Sequence, residues 1–165
     1  MKLLGIAAAL CIALGGPVFG ESLSGVAGVV DGDTIAVQQV KVRLEGIDAP
    51  EAGQMCTDDA GQPWACGMAA TMYLIKLLDG HEVICDLVGT DRYGRRLGLC
   101  RVPGLHNSIN AALVRSGMAR AFVKYSLQYV SEEDSARADK LGIWAGPHEA
   151  PWDYRTRIKE RRKLK

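Results

Sequence analysis

Metal-site cysteine spacing is missing from this chain. No Cys-x-x-Cys pair occurs, and the three histidines, His81, His106 and His148, stand far apart. A structural or catalytic zinc centre needs such grouped ligands, so zinc chemistry has no obvious seat here. A bilayer-spanning apolar run is missing too: the stretch from Leu3 to Leu14 falls short of the roughly 20 residues that a spanning helix requires. An EF-hand is excluded, because in Asp31-Gly32-Asp33-Thr34 the glycine comes too early and Val42 stands where the closing glutamate should be. Neither sign of charge is in excess, with 20 basic against 19 acidic residues.

What is present begins with a leader. Lys2, the apolar run, the breakers Gly15-Gly16-Pro17 and the small-residue end Val18-Phe19-Gly20 read as a secretory signal over residues 1–20. The expectation is an exported protein, periplasmic or extracellular, with no membrane anchor after signal cleavage, and a monomer by default. Ala8-Ala9-Leu10 lacks the small residue expected just before a lipidated Cys11. Residues 21–150 make one domain's worth of chain. Residues 151–165 form a basic tail with seven lysines and arginines against Asp153 and Glu160, which leaves the body net acidic. Such a tail serves either as a phosphate-binding arm or as a solvated, frayed end.

Four cysteines remain after export, an even number in an oxidising compartment, so disulfides are expected. Residues 81–87 and 96–102 look like a hairpin turning at Asp91-Arg92-Tyr93-Gly94. A turn centred between Arg92 and Tyr93 sets Cys85 opposite Cys100 and leaves Cys56 to pair with Cys66.

Alternating and β-branched residues predict strands at 24–30, 33–38, 40–46, 81–87 and 96–102. A helix is expected over Gly67–Asp79, with Met68, Met72, Ile75 and Leu78 as a core stripe. A second runs over Ser108–Ser116, and a third starts at Ser131 in a capping box and stops at Gly142. Three strands, a helix, two strands and two helices is the order of an α+β protein built on a five-stranded oligonucleotide-binding (OB) β-barrel with three helices.

Three segments carry the chemistry: Asp31-Gly32-Asp33-Thr34, Arg43 through Glu51, and Asp91-Arg92-Tyr93-Gly94-Arg95. Each taken alone is an ordinary turn. Taken together they supply what phosphodiester hydrolysis demands, namely positive charge, a deprotonated water and shielding of the leaving oxygen. Asp33, Asp48 and the Ala49 carbonyl offer hard oxygens suited to Ca²⁺. Glu51, after the stiffening Pro50, is placed to deprotonate water. Arg43 and Arg95 have the planar fork that grips phosphate oxygens, which lysine does not reproduce.

That conjunction resembles the staphylococcal nuclease (thermonuclease) family from about Val26 to Trp144. The motifs fall in family order: Val29-Val30-Asp31-Gly32-Asp33-Thr34, Val42-Arg43-Leu44, Ile47-Asp48-Ala49-Pro50-Glu51, Thr90-Asp91-Arg92-Tyr93-Gly94-Arg95, Asn110 through Arg115, and Leu141-Gly142-Ile143-Trp144. The resemblance implies Asp33, Asp48 and Ala49 as Ca²⁺ ligands, Arg43, Glu51 and Arg95 as the catalytic three, and Tyr93 and Tyr125 as base-stacking residues. It implies Ca²⁺-dependent hydrolysis of DNA and RNA, preferably single-stranded, leaving 3′-phosphates. The chain departs from the best-known member at Ala49, where a threonine stands there, at Val123, where a second pocket tyrosine stands, and in its cysteines.

Two other readings remain open. Domains of this kind that bind nucleic acid without cutting lack the carboxylates and arginines that this chain keeps. An exported protein acting on another phosphodiester or surface polymer is the second, distinguished by weak salt dependence.

Overall fold

The structure, a computed structural model, describes residues 20–164. The expected leader therefore lies, apart from Gly20, outside the described residues. Five strands close into a barrel in the order β1-β2-β3-β8-β7. They are β1 (Ser22–Asp31), β2 (Thr34–Val37), β3 (Val40–Leu44), β7 (Glu82–Thr90) and β8 (Arg96–Arg101). The ladders are antiparallel except for β3 with β8, which run parallel and close the barrel. Two-residue strands β4 (Ile47–Asp48) and β9 (Arg120–Ala121) pair beside it, as do β5 (Cys56–Thr57) and β6 (Pro63–Trp64). This is the OB-type α+β architecture of the nuclease-like fold expected from the strand order.

Alternation decides which side chains enter the barrel: Ile35, Val37, Val42 and Leu44 alternate inward on β2 and β3 and are buried. Helices α1 (Cys66–Leu78), α2 (Ile109–Arg115) and α3 (Val130–Ala138) lie outside the barrel, with a 3₁₀ turn at Gly142–Ala145. Asn110 joins α2 to the barrel. Its side chain accepts from the Cys100 amide at 3.1 Å and donates to the Glu45 and Gly98 carbonyls at 2.9 and 3.2 Å.

Three expectations need correction. The stripe Met68, Met72 and Ile75 is exposed, and the face of α1 that reaches the core carries Ala70, Leu74 and Leu78. Both sets have helical spacing, and packing on the barrel buries the Ala70, Leu74 and Leu78 face. Helix α3 is flanked by Tyr129 rather than capped by Ser131, and it ends at Ala138. The basic tail is not frayed over its length: residues Pro151–Lys163 form a fourth helix, α4, started by a proline in its first turn.

Both expected disulfides are present, Cys56–Cys66 and Cys85–Cys100. The second joins residues directly opposite in the β7–β8 register. The first sits in a small apolar cluster of its own with Ile143, Trp64 and Trp144.

Candidate active site

The β1–β2 turn, the turn after β3 and the β7–β8 hairpin open onto one cleft of about 1020 Å³. Asp33, Arg43, Ala49, Glu51, Tyr93, Arg95 and Tyr125 all line it. Of the two candidate aspartates Asp33 lines it, and Asp48 lies buried behind the lining. Asp33 ends the β1–β2 turn, and its Oδ2 accepts from the Ala49 amide at 2.9 Å. Asp48 lies on β4 and is fully buried. Arg43, on β3, bridges them, donating from Nη1 to Asp33 Oδ1 and from Nη2 to Asp48 Oδ1 at 2.5 and 2.8 Å.

The electrostatics of this pair follow from burial. Loss of water, reinforced by Asp31 and Asp48 and opposed by Arg43, pushes the Asp33 carboxyl up to about 7. Burial works against the Arg43 charge as well, but Asp33 and Asp48 outweigh it and hold the guanidinium above its ordinary value. The described protein groups therefore leave Asp33 undercompensated. The carboxylate oxygens of Asp33 and Asp48 are hard donors, the type that an ion such as Ca²⁺ takes, so the donor chemistry fits that ion. Among the described residues no group of three or more His, Cys, Asp or Glu side chains could hold a metal ion.

A family profile described as staphylococcal nuclease homologue matches residues 41–146. Micrococcal nuclease of Shigella flexneri is 34% identical over 166 residues, covering 91% of this chain and 90% of that one. The chain belongs to the staphylococcal nuclease family. Protein ParB of Escherichia coli is 35% identical over 173 residues, covering 94% and 92% of the two chains. Succinoglycan biosynthesis protein ExoI of Rhizobium meliloti (strain 1021) is 37% identical over 128 residues, or 75% of this chain and 65% of that protein. The chain thus spans just under two thirds of ExoI and nearly all of the other two. Membership supports a nuclease-type hydrolase whose function concerns nucleic acid.

The nuclease-type cleft brings its other residues in by different routes. Glu51 follows Pro50 and is held by Gln54, a buried residue whose Oε1 accepts from the Glu51 amide at 3.2 Å and whose own amide donates to the Glu51 carbonyl at 2.7 Å. Gln54 Nε2 also donates to the Glu149 carbonyl at 2.7 Å, tying this loop to the segment before α4. Gly67, in the first turn of α1, passes so close that a Cβ there would stand 1.6 Å from the Glu51 carbonyl oxygen. Arg95 reaches the same cleft, but its guanidinium is paired with Asp91, with Nε at 2.8 Å and Nη2 at 2.7 Å from Oδ2. Slight burial raises the Asp91 carboxyl, and the Arg95 side chain with the Arg95 and Tyr93 amides outweighs it, so Asp91 lies below the usual range. Tyr93 and Tyr125 stand exposed on the rim, and Phe122 packs edge-on against Tyr125 with centroids 4.8 Å apart.

Sequence reasoning missed Gln54, Gly67, Phe122 and, most consequentially, Arg155. From α4, Arg155 donates to Asp48 Oδ1 and Oδ2 at 2.9 and 2.7 Å and to Glu51 Oε1 at 2.8 Å. The charge of the tail was a signal for it, but nothing in the spacing told which of seven cations would turn inward.

Proposed function

We propose that the mature protein is an exported, Ca²⁺-dependent nuclease that hydrolyses DNA and RNA, preferably single-stranded, to leave 3′-phosphates. The observation that supports this best is an open cleft lined by Asp33, Arg43 and Glu51, in which Arg43 bridges Asp33 to the buried Asp48 behind it. Asp33, Asp48 and the Ala49 carbonyl would hold the ion, which supplies positive charge against the anionic phosphodiester. Glu51 takes the proton of the attacking water, the water oxygen bonds to phosphorus, and the bond to the 5′ oxygen breaks as that oxygen takes a proton from solvent water and leaves as the 5′-hydroxyl. Arg43 and Arg95 stabilise charge on the equatorial oxygens, Arg95 after exchanging Asp91 for the phosphate. Tyr93 and Tyr125 present aromatic faces to which any base can stack, which favours unpaired strands.

Export is supported by the leader at residues 1–20 and by two disulfides. Among the described residues no helix is long and apolar enough to cross a membrane. We take residues 21–150 as the nuclease domain and a monomer as the working state. The test is digestion of single-stranded DNA by the mature protein with Ca²⁺ and with a chelator, beside Glu51→Gln. Calcium-dependent cleavage that leaves 3′-phosphates and drops by about 10³-fold or more in the variant supports the reading. Salt-sensitive binding with no cleavage would replace it by a binding module. The likeness to a succinoglycan biosynthesis protein favours another surface polymer if neither occurs.

A further inference from the structure

The basic segment at the C-terminus is anchored where it begins. Pro151 is buried, Trp152 stacks on Phe122 with centroids 5.3 Å apart, and Arg120 lies 4.8 Å over the Trp152 ring. One turn on, Arg157 grips Glu149 through Nε at 2.9 Å and Nη2 at 2.6 Å. These contacts fix the rotation of α4, and so they decide that Arg155 is the cation that enters the cleft beside Asp48 and Glu51. Lys159, Arg162 and Lys163 follow it at four, seven and eight residues, the spacing that sets helical side chains on one face. At about 1.5 Å rise per residue, Arg162 stands about 10 Å further along the axis than Arg155. All three are exposed, and among the described residues none has an ion-pair partner. A single small phosphate ester needs only the cleft. A row of unpaired cations leading out of it matches a ligand whose anions repeat.

We propose that α4 is a backbone-binding arm for a nucleic-acid strand, with Arg155 meeting a phosphate at the cleft and Lys159, Arg162 and Lys163 following the strand outward. The proposal rests on the nuclease reading for its ligand. It gives the cleft a direction, since the strand leaves the carboxylates along α4. The competing role for Arg155 is structural, as a fork that merely neutralises Asp48 and Glu51.

The test is fluorescence anisotropy of a labelled single-stranded oligonucleotide of about 16 nucleotides on the mature protein with chelator present, titrated from about 50 to about 200 mM salt. The variants are Lys159→Gln/Arg162→Gln/Lys163→Gln, Arg155→Gln and Arg155→Lys, with Arg101→Gln/Lys140→Gln as a charge control outside the cleft. Each phosphate contact on a single strand contributes about 0.7 to the slope of log affinity against log salt, so the triple variant should lower the slope by about 2 while the control keeps it. Arg155→Gln should weaken binding by about 10-fold, and Arg155→Lys should recover most of that. An unchanged slope in the triple variant overturns the arm. Failure of lysine to rescue, with a lowered melting temperature in both Arg155 variants, assigns Arg155 to structure alone and overturns that half. If the slope shifts as expected but the unmodified protein digests no DNA with Ca²⁺, the arm stands and the nuclease reading falls.

Discussion

The two disulfides close loops of similar length, with partners 10 and 15 residues apart, in different mechanical settings. Cys85 and Cys100 belong to strands already paired along the length of the β7–β8 ladder, and both side chains lie in the main core. Cys56 belongs to a loop whose local sheet is two residues per strand, Cys66 opens α1, and their cluster holds one other buried residue, Ile143. The first bridge reinforces a wall that backbone hydrogen bonds already build. The second adjoins the segment that carries Glu51, with Cys66 Sγ 3.5 Å from the Gln54 carbonyl, where side-chain and loop hydrogen bonds rather than a long ladder set the chain's path. Chain entropy alone assigns both about 3 kcal/mol, so the difference between them should appear in function rather than in stability.

That contrast is open to a direct break. Replacing Cys85 and Cys100 by alanine should cost about 3 kcal/mol in urea unfolding and leave the calcium-dependent turnover of the folded protein within about 2-fold. The same change at Cys56 and Cys66 should cost a comparable amount and also lower kcat by about 10-fold, because Glu51 loses its support. Equal turnover in the two double variants would mean that Gln54 and α4 suffice to hold Glu51.

A smaller change sharpens the comparison on the loop side alone. Gly67→Ala gains about 1 kcal/mol of helix propensity, yet its Cβ would overlap the Glu51 carbonyl. The backbone of Glu51 must therefore move, and a displacement of about 1 Å at a reacting group costs about 100-fold in turnover. The expected signature is a steep fall in kcat together with a lowered melting temperature, because the overlap is with backbone atoms, and both are measured in the same preparation. A variant that keeps full turnover would show that the Glu51 carbonyl can shift without its carboxylate.

The two walls were also unequally legible. The barrel wall announces itself because its signals are local: alternation in β2 and β3 fixes which residues face inward, and Asp33, Arg43 and Asp48 sit at or one residue from strand ends. Register arithmetic across one hairpin sufficed for Cys85–Cys100. The loop wall depends on contacts between segments distant in sequence, such as Gln54 with Glu149 and Arg155 with Asp48 and Glu51, 95, 107 and 104 residues apart. Composition marked residues 151–165 as basic but carried no signal for rotation, which the packing of Trp152 on Phe122 and the ion pair of Arg157 decide. The Met68 stripe misled for the same reason, since α1 has two apolar faces and only the barrel chooses between them.

The mildest perturbation of the loop wall is acid. His148 lies between the Cys56–Cys66 cluster and α4, edge-on to Trp144 at 4.6 Å. Burial pushes its imidazole below the ordinary value, aided by Arg120 and countered by the Gly146 and Ile143 carbonyls and by Glu133. A histidine depressed in the folded state takes up its proton more readily when unfolded. Its contribution is therefore fully present above an unfolded pKa near 6.5 and is lost as pH falls through the folded value. Between about pH 7.5 and pH 5 the protein should lose more stability than His148→Gln does, read as the difference in urea midpoints. Opening should begin at the segment joining the 3₁₀ turn to α4, so amide exchange in residues 143–150 should rise with acid before exchange in β7 and β8 does. If both regions respond together, the two walls are one cooperative unit and the distinction drawn from their disulfides does not survive.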